Sequence, residues 1–505
     1  MATSTQDGAT GKQPAQDGAD PFGAKAAGGV TKPLDIVFIQ DTTGSQGPYI
    51  DSARKAIRDI CDKIISSASL SPDQLRFGLI AFRDHPPQDN TYVTKQFGFT
   101  SDIKVMQKNL HGLIASGGGD GPEAQTAAIA AALDMEWKED AVKMAVLITD
   151  APPHGLGERG DGFEKSPDQN DPLELARQMS QQGITLFIIA CEPALSQWTH
   201  AVDFYTALAQ ITSGRMFPLL MADKLGEYIV GTAIETIETE KLIAEFENVI
   251  VDDVYNNDKK VDDVVGNLQD FIKKKGIQVN TVVVEDVYNP SDTAMKNVFA
   301  WAGAKNLGAA QSTVERVAEP RLQAQYAPSP AAGYGYGSPF AAPTGAFRSM
   351  AGMSPFTTSS PSYSPSAPVR PGAFAFGSPA PPPPPPRGRA SGASTFSFGA
   401  APTSYAPTSD LMGFCGASPA PSASLFGAVA APHAASPAPT PMLTKQDLST
   451  QQAHRIVMQS MARQSKVTSE GMVNKLTGKI IPASAYASPS ISSTPPPPPP
   501  PAPIV

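Results

Sequence analysis

The sequence predicts an α/β domain in residues 33–240, built on a doubly wound, mostly parallel sheet. Four segments in this range are apolar runs, which is typical of strands buried on both faces of a parallel sheet. Segments with apolar residues at helical spacing separate these runs. Strands that alternate with helices favour parallel pairing, with the helices covering both faces.

The predicted elements follow one another without long gaps. The first strand is Leu34–Gln40, and Tyr49–Ser67 has the apolar spacing of a helix. Strand Gln74–Phe82 and the alternating segment Val93–Thr100 can pair as a hairpin. The remaining predictions are helices at Asp102–Ala115, Ala124–Leu133, Pro172–Gln182, Gln197–Thr212 and Ala222–Thr239, and strands at Lys143–Thr149, Ile184–Cys191 and Arg215–Leu219.

Composition predicts how the rest of the chain is organised. The sequence of 505 residues holds 50 prolines and 42 glycines, concentrated in its second half. A Pro-, Ala-, Ser- and Gly-rich segment with little charge cannot bury enough apolar area to offset the entropy lost on ordering. The predicted regions are a disordered N-terminus at 1–32, a small α-rich appendage at 241–307, a disordered linker at 308–441, a short helical island at 442–482 and a Pro-rich tail at 483–505. The island's predicted helical face comprises Ile456, Val457, Met461 and Val467.

Charge, cysteine content and hydropathy exclude several classes of protein. A net charge of −9 argues against general binding to nucleic acid. Three widely spaced cysteines form neither a disulfide framework nor a zinc pattern. The N-terminus lacks the features of a signal peptide, and no apolar run is long enough for a membrane span. We therefore expect a cytoplasmic protein, with unconventional secretion as the alternative.

Oxygen-bearing side chains follow two strands of the predicted sheet. Asp41, Thr43 and Ser45 come after the first strand, and Asp150 ends the strand Lys143–Thr149. Asp120 lies in the intervening Gly-rich loop. Because carboxyl ends of parallel strands meet at one edge, these five residues are candidate ligands of one metal ion. Carboxylates and hydroxyls suit Mg²⁺ or Mn²⁺ better than Zn²⁺.

These motifs resemble those of von Willebrand factor A domains. Asp41-Thr-Thr-Gly-Ser45 is similar to the family's Asp-x-Ser/Thr-x-Ser motif, and Asp150 matches its later Asp. The resemblance implies a Rossmann-like fold with a metal-ion-dependent adhesion site. The hydroxyls would bind the metal directly, the Asp residues often through water, and a partner's carboxylate can complete the shell. Asp120 stands where the family usually has a Thr, which should tighten cation binding and disfavour an acidic partner.

A narrower resemblance rests on three further motifs, Phe82–Pro86, Gly117–Glu123 and Thr149–Gly155. Together they resemble the A domain that precedes an alpha-type protein kinase in some microbial eukaryotes. No compact catalytic domain and no Cys/His zinc ligands are recognisable after residue 308. A regulatory or kinase-related protein, with serine/threonine kinase activity implied by the family alone, is therefore the alternative function.

Several candidate residues also have simpler interpretations. Asp41 and Ser45 can cap the following helix, and Asp120 can be a turn or cap residue before Pro122. His85, His154 and Asp84 are candidates for a supporting shell or a partner contact. Loop histidines often make only structural hydrogen bonds, and Arg83 can form a local ion pair with Asp84.

The proline runs are candidate binding motifs of a different kind. Pro381–Pro386, followed by Arg387, and Pro495–Pro501 favour a polyproline II conformation, which SH3-, WW- and profilin-type proteins read. A semi-rigid spacer is the alternative. With an oxygen-only site and no nucleophile–base pair recognisable beside it, the sequence predicts a non-catalytic module. It would bind a protein partner at the metal site, and the Pro-rich half would act as a scaffold or tether.

Overall fold

The structure is a computed structural model that describes residues 32–327 and 440–485. Its strands are β1 (Leu34–Asp41), β2 (Leu75–Phe82), β3 (Thr94–Thr100), β4 (Val142–Thr149), β5 (Ile184–Cys191), β6 (Met216–Leu219), β7 (Gln278–Val283), β8 (Met442–Asp447), β9 (Ser465–Val467), β10 (Gly471–Asn474) and β11 (Ile480–Pro482). Its helices are α1 (Gly47–Ala68), α2 (Ile103–His111), α3 (Gln125–Leu133), α4 (Pro172–Gln181), α5 (Ala201–Ile211), α6 (Leu225–Val251), α7 (Val261–Lys274), α8 (Asp292–Gly303), α9 (Leu307–Gln311) and α10 (Thr450–Arg463).

A six-stranded sheet confirms the predicted doubly wound, mostly parallel architecture. Its strand order is β3-β2-β1-β4-β5-β6. The edge strand β3 pairs antiparallel with β2, as the hairpin prediction requires, and the other pairs are parallel. The chain winds outward from β1 in one direction and from β4 in the other, so β1 and β4 flank the point where the winding reverses.

Strands β1, β2, β4 and β5 are buried at nearly every position because both faces of the sheet are covered. In β1, Ile36 and Phe38 pack on the side of α1 and α6. Val37 and Ile39, which point to the opposite face, pack on the side of α3, α4 and α5. The sheet is thus the middle layer of three, and its two ends are left to loops.

A third core joins the appendage to the C-terminal segment. Helix α6 runs on to Val251, and its second half packs with α7 against α10. Three residues of the island's predicted helical face, Ile456, Val457 and Met461, lie in α10 and are fully buried. Val467 differs, because α10 ends at Arg463 and Val467 lies in β9.

The C-terminal segment contains strands as well as the predicted helix. Strand β8 pairs antiparallel with β7, with Thr444 opposite Thr281. Strands β9, β10 and β11 form a small antiparallel sheet. The segment therefore completes a structure that begins before the linker.

The start of the linker also differs from the prediction. Residues 308–327 are described, and Leu322 and Tyr326 form a small core with Val287. Arg321 forms an ion pair with Asp203 of α5. The segment is ordered because these contacts lie on the folded domain, which composition alone does not reveal.

Some predictions lie outside the described residues. They include the disordered N-terminus as far as residue 31, the linker over 328–439 with the proline run at 381–386, and the tail from 486 with the run at 495–501. Within residues 32–327 and 440–485, no helix is long and apolar enough to cross a membrane.

Candidate functional site

Two acidic side chains meet at the carboxyl edge of the sheet. Strands β1 and β4 are parallel neighbours, with Gln40 opposite Ile148, so Asp41 and Asp150 leave the sheet side by side. Ligand sites of open α/β sheets lie in this crevice, where the strand order reverses.

Hydrogen bonds fix the Asp41 carboxylate in the crevice. One oxygen accepts from the backbone N–H of Thr43 at 2.9 Å and from its hydroxyl at 2.7 Å. The other oxygen accepts from the Thr149 hydroxyl at 2.8 Å. With three donors already satisfied, this carboxylate is suited to contact a cation through water.

The surroundings of both carboxyl groups raise the free-energy cost of ionising them. Burial, and then the charge of Asp150, raise the pKa of Asp41 to about 7. Burial also raises the pKa of Asp150, and a hydrogen bond with Ser45 offsets part of this effect. Buried like charges favour either a shared proton or a bound cation.

The helix-cap interpretation of Asp41 and Ser45 is not supported. A 3₁₀ turn at Gly44–Gln46 leads into α1, and the capping positions are Thr43 and Gln46. Among the described residues, no side chain makes a capping hydrogen bond at either start. Asp41 bonds the Thr43 amide at the end of β1 and does not cap a helix.

The Gly-rich loop lies directly against the loop after β1. The amide of Gly44 donates to the Gly117 carbonyl at 3.2 Å, and the amide of Ser116 donates to the Thr42 carbonyl at 3.0 Å. Gly118 has φ +83°, and a Cβ there would lie 2.6 Å from a Glu123 carboxylate oxygen. The positive φ and this close contact with Glu123 both require glycine at position 118.

Glu123, which was not among the predicted ligands, lies close enough to Asp41 and Asp150 for their charges to raise its pKa. The residue is 5 % exposed, and its Oε2 atom has no hydrogen-bond partner among the described residues. Burial raises its pKa well above the usual range, followed by the charges of Asp41, Asp84 and Asp150. Its position at the end of the Gly117–Glu123 motif is the sequence feature that could have identified Glu123 as a candidate ligand.

Asp120 lies in a neighbouring group of side chains. One of its oxygens accepts from the Gln88 amide at 3.2 Å and from the Gly162 backbone amide. Ligand atoms of Asp120, Asp84 and His154 all lie within 4.8 Å of one another. The five predicted ligands are therefore divided between two groups, and Glu123 is influenced by the charges of both.

His154 and Asp84, both predicted as supporting residues, are in direct contact. His154 Nε2 donates to Asp84 Oδ1 at 2.6 Å, and Nδ1 donates to Asp161 at 2.9 Å. Burial lowers the pKa of His154, but these two carboxylates raise it to about 9 overall. Burial and the nearby His154 lower the pKa of His85.

The alternative ion pair between Arg83 and Asp84 does not form in the structure. Arg83 instead lies 3.9 Å from Asp89 and donates to the Thr91 hydroxyl at 2.8 Å. The guanidinium of Arg83 thus stabilises the loop after β2. Asp84 instead accepts a hydrogen bond from His154.

Neighbouring side chains hold the loop after β4 in place. Trp198 donates its ring N–H to the Asp150 carbonyl at 3.1 Å. Tyr205 and Gln125 donate to the Ala151 carbonyl at 2.8 Å and 2.9 Å. The position of Asp150 is therefore set by packing from α3 and from the region of α5.

Comparison with known proteins agrees with this geometry. A family model described as "von Willebrand factor type A domain" matches residues 35–220. A putative ariadne-like RING finger protein of Acanthamoeba polyphaga mimivirus is 28 % identical over a segment that covers 36 % of this chain and 18 % of that protein. The alpha-protein kinase vwkA of Dictyostelium discoideum is 30 % identical over 24 % of this chain and 19 % of that protein. The chain thus spans about a fifth of the length of these curated relatives.

Solved structures show weaker likeness. The pilus adhesin SpaC of Lactobacillus rhamnosus GG has a TM-score of 0.32 and 15 % identity, over 42 % of this chain and 30 % of that chain. Protein BatB of Bacteroides thetaiotaomicron has a TM-score of 0.29 and 15 % identity, over 41 % of this chain and 99 % of that chain.

The family match, the strand order and the paired acids agree. Residues 35–220 therefore belong to the von Willebrand factor type A domain family.

Proposed function

We propose that this chain is a non-catalytic protein-binding module that uses a divalent cation at the carboxyl edge of its sheet. Von Willebrand A domains are typically protein-interaction modules. The observation that carries the proposal is the pair of buried carboxyl groups, Asp41 and Asp150, beside the hydroxyls of Thr43 and Ser45.

The residues present fit a hard divalent cation. Asp41, Asp150 and Glu123 each have a raised pKa, so their negative charges lack compensation from the protein alone. Glu123 also has the unpaired Oε2 atom. Oxygen ligands favour Mg²⁺ or Mn²⁺. We infer that the hydroxyls of Thr43 and Ser45 bind the ion directly and that Asp41 acts through water.

The surrounding charge favours a particular kind of protein ligand. A bound ion would supply a positive point to which an oxygen of the partner can bind. Glu123 and Asp120 add negative charge beside it, and an incoming carboxylate would be repelled. We infer that the partner presents a neutral oxygen, such as a backbone carbonyl, more readily than an acidic side chain.

The rest of the chain would serve as a scaffold. We infer that residues 33–240 are the binding domain and that the Pro-rich residues tether it to the C-terminal segment or recruit SH3-, WW- or profilin-type proteins. We also place the protein in the cytoplasm, because Cys61 and Cys191 are buried free thiols.

A kinase-linked role is the second candidate, and the similarity to an alpha-protein kinase favours it. In this case the domain would regulate or accompany kinase activity without performing the reaction. Incubation of the full chain with ATP and Mg²⁺ should give no transfer of phosphate to itself or to a general protein substrate. Transfer would overturn the non-catalytic assignment.

Calorimetric titration of the full chain with Mg²⁺ and Mn²⁺ tests the metal site. Asp41→Asn and Asp150→Asn should each weaken binding at least about tenfold, which is about 1.4 kcal/mol. Asp102→Asn is the matched control, because Asn also caps helices and Asp102 caps α2 at the opposite edge of the sheet. Equal heats from the wild type and both site variants would contradict the proposal.

A further inference from the structure

A second group of metal-ligand side chains lies beside the oxygen site. Asp84 follows β2, Asp120 lies in the Gly-rich loop, and His154 lies in the loop after β4. One ligand atom from each lies within 4.8 Å of the other two. Three separate loops thus bring two carboxylates and an imidazole to one point.

His154 is held in the orientation of a metal-binding histidine. Its Nδ1 atom donates to Asp161 Oδ1 at 2.9 Å, and Asp161 in turn accepts the backbone amides of Gly155 and Phe163 at 2.8 Å and 2.9 Å. Metal-binding histidines commonly donate their other ring N–H to a carboxylate in this way. The Nε2 atom is left facing Asp84.

Two oxygens of the group have unsatisfied hydrogen-bonding capacity. Asp84 is fully buried, and within the described parts of the chain its Oδ2 atom has no hydrogen-bond partner. Asp120 Oδ1 also has no hydrogen-bond partner among the described residues. Because buried polar atoms are nearly always paired, these two oxygens point to a ligand that supplies positive charge.

We propose that Asp84, Asp120 and His154 bind a second divalent ion, which is Zn²⁺ in preference to Mg²⁺. An imidazole nitrogen with two carboxylate oxygens is a ligand set that zinc accepts and that magnesium does not favour. On binding, the ion takes the place of the proton on His154 Nε2, and that proton leaves to solvent. Asp120 is only half-buried, so the ion remains accessible from one side.

This site differs from the proposed magnesium site in its ligands and does not depend on it. The first site has only oxygen ligands from the loops after β1 and β4, whereas the second includes a nitrogen. Either site can therefore fail experimentally without the other.

Equilibrium dialysis of the full chain against Zn²⁺, with excess Mg²⁺ present, tests the second site. The wild type should retain one zinc ion per chain. His154→Gln and Asp120→Asn should each reduce zinc affinity at least about tenfold. Asp120→Asn should fold even if His154→Gln does not, because the Asp120 side chain is only half-buried. Asp41→Asn, which alters the proposed magnesium site, should bind zinc as the wild type does.

His111→Gln is the matched control for adventitious binding, because His111 is an exposed histidine on α2. This variant should bind zinc as the wild type does. The proposal is overturned if the wild type retains no zinc, or if His154→Gln and Asp120→Asn bind it as tightly as His111→Gln.

Discussion

Two glycines of the Gly-rich loop lie in very close contact with acidic side chains. Gly117 and Gly118 have φ values of +81° and +83°. A Cβ at Gly117 would lie 1.8 Å from Asp89 Oδ2, and one at Gly118 would lie 2.6 Å from Glu123 Oε1. Both distances are far below van der Waals contact, so any side chain must displace the acidic neighbour.

Gly117→Ala should therefore destabilise the protein by about 2–4 kcal/mol, through backbone strain and the clash with Asp89. Gly276→Ala is the matched control. Gly276 has φ +66°, but among the described residues no atom lies within 4 Å of the point that a Cβ would occupy, so the substitution should cost only about 1 kcal/mol of strain. Urea denaturation measures the free energy of unfolding of both variants. An equal loss in the two variants would show that the close contact between Gly117 and Asp89 has no energetic importance.

Glu123 allows a ligand role to be separated from a structural one. Burial and the neighbouring charges of Asp41, Asp84 and Asp150 raise its pKa well above the usual range, so ionisation of this carboxyl group is costly without a cation, and a neutral amide of the same shape avoids that cost. Glu123→Gln should therefore change stability little in EDTA. It should reduce the additional stability gained in Mg²⁺ by about 1.4 kcal/mol, equivalent to a tenfold weaker ion affinity.

Thermal denaturation with and without Mg²⁺ measures this difference. Glu164→Gln is the control, because Glu164 is exposed in the loop after β4. A loss of stability in EDTA as large as the loss in Mg²⁺ would assign Glu123 a structural role only.

The individual site residues were predictable to different degrees. Asp41 and Asp150 were recognisable because Asp41 ends one buried strand and Asp150 directly follows another, and parallel strands align their ends. Asp120 and Glu123 are only three positions apart, yet they face different groups. Which of them faces β1 depends on the path of the Gly-rich loop and on hydrogen bonds to distant residues such as Gly162. The spacing of residues along the sequence does not predict these contacts.

At the scale of elements, the six-stranded sheet was predictable and the pairing of β7 with β8 was not. The sheet strands are apolar runs with their own local signal. Strand β8 is largely exposed, mixes polar with apolar residues and pairs across the whole linker. Helix α10 had a readable apolar face, but no local pattern indicated that this face covers α6 and α7.

Ion pairs attach α10 to α6. Arg463 contacts both carboxylate oxygens of Glu240 at 2.9 Å and 2.6 Å, and Arg455 pairs with Glu235. Burial alone would raise the pKa of Glu240, but hydrogen bonding and charge from Arg463 lower it overall. The pKa of Glu235 is likewise lowered, against its burial, by Arg455 and Arg215.

Acid should therefore weaken the attachment of the C-terminal segment. A carboxyl group whose pKa is lower in the folded state contributes stability above its unfolded pKa, here 4.5, and loses it as the pH falls through the folded value. Stability measured by urea denaturation should decline below about pH 4.5, and Glu240→Gln should have a shallower decline. An unchanged slope in Glu240→Gln would exclude this pair as the cause.

At the scale of the whole molecule, the C-terminal segment and the proposed ion sites lie at opposite edges of the sheet. Gln459 donates to the Thr185 hydroxyl at 2.6 Å, and Thr185 lies at the start of β5. Gln181, at the end of α4, donates to the Val467 carbonyl at 3.0 Å. The segment thus contacts the amino-terminal edge, whereas the proposed ion sites lie at the carboxyl edge.

Residues 440–485 should stay attached to residues 32–327 after the chain is cut between them. Residues 440–485 bury the apolar face of α10, pair β8 with β7 and form the ion pairs to α6. A specific protease site inserted after Ala400 in the full chain should therefore yield two fragments that still co-elute on gel filtration at neutral pH.

Arg463→Glu supplies the contrast, because it places a negative charge against Glu240 in a half-buried contact. Like charges there should cost several kcal/mol, roughly 3–5 by comparison with other broken buried pairs, and the cleaved variant should separate into its fragments. Adding Glu240→Arg restores opposite charges and should recover part of the co-elution. If the cleaved wild-type fragments separate, the segment is held by the covalent connection and its contacts are too weak to dock it alone.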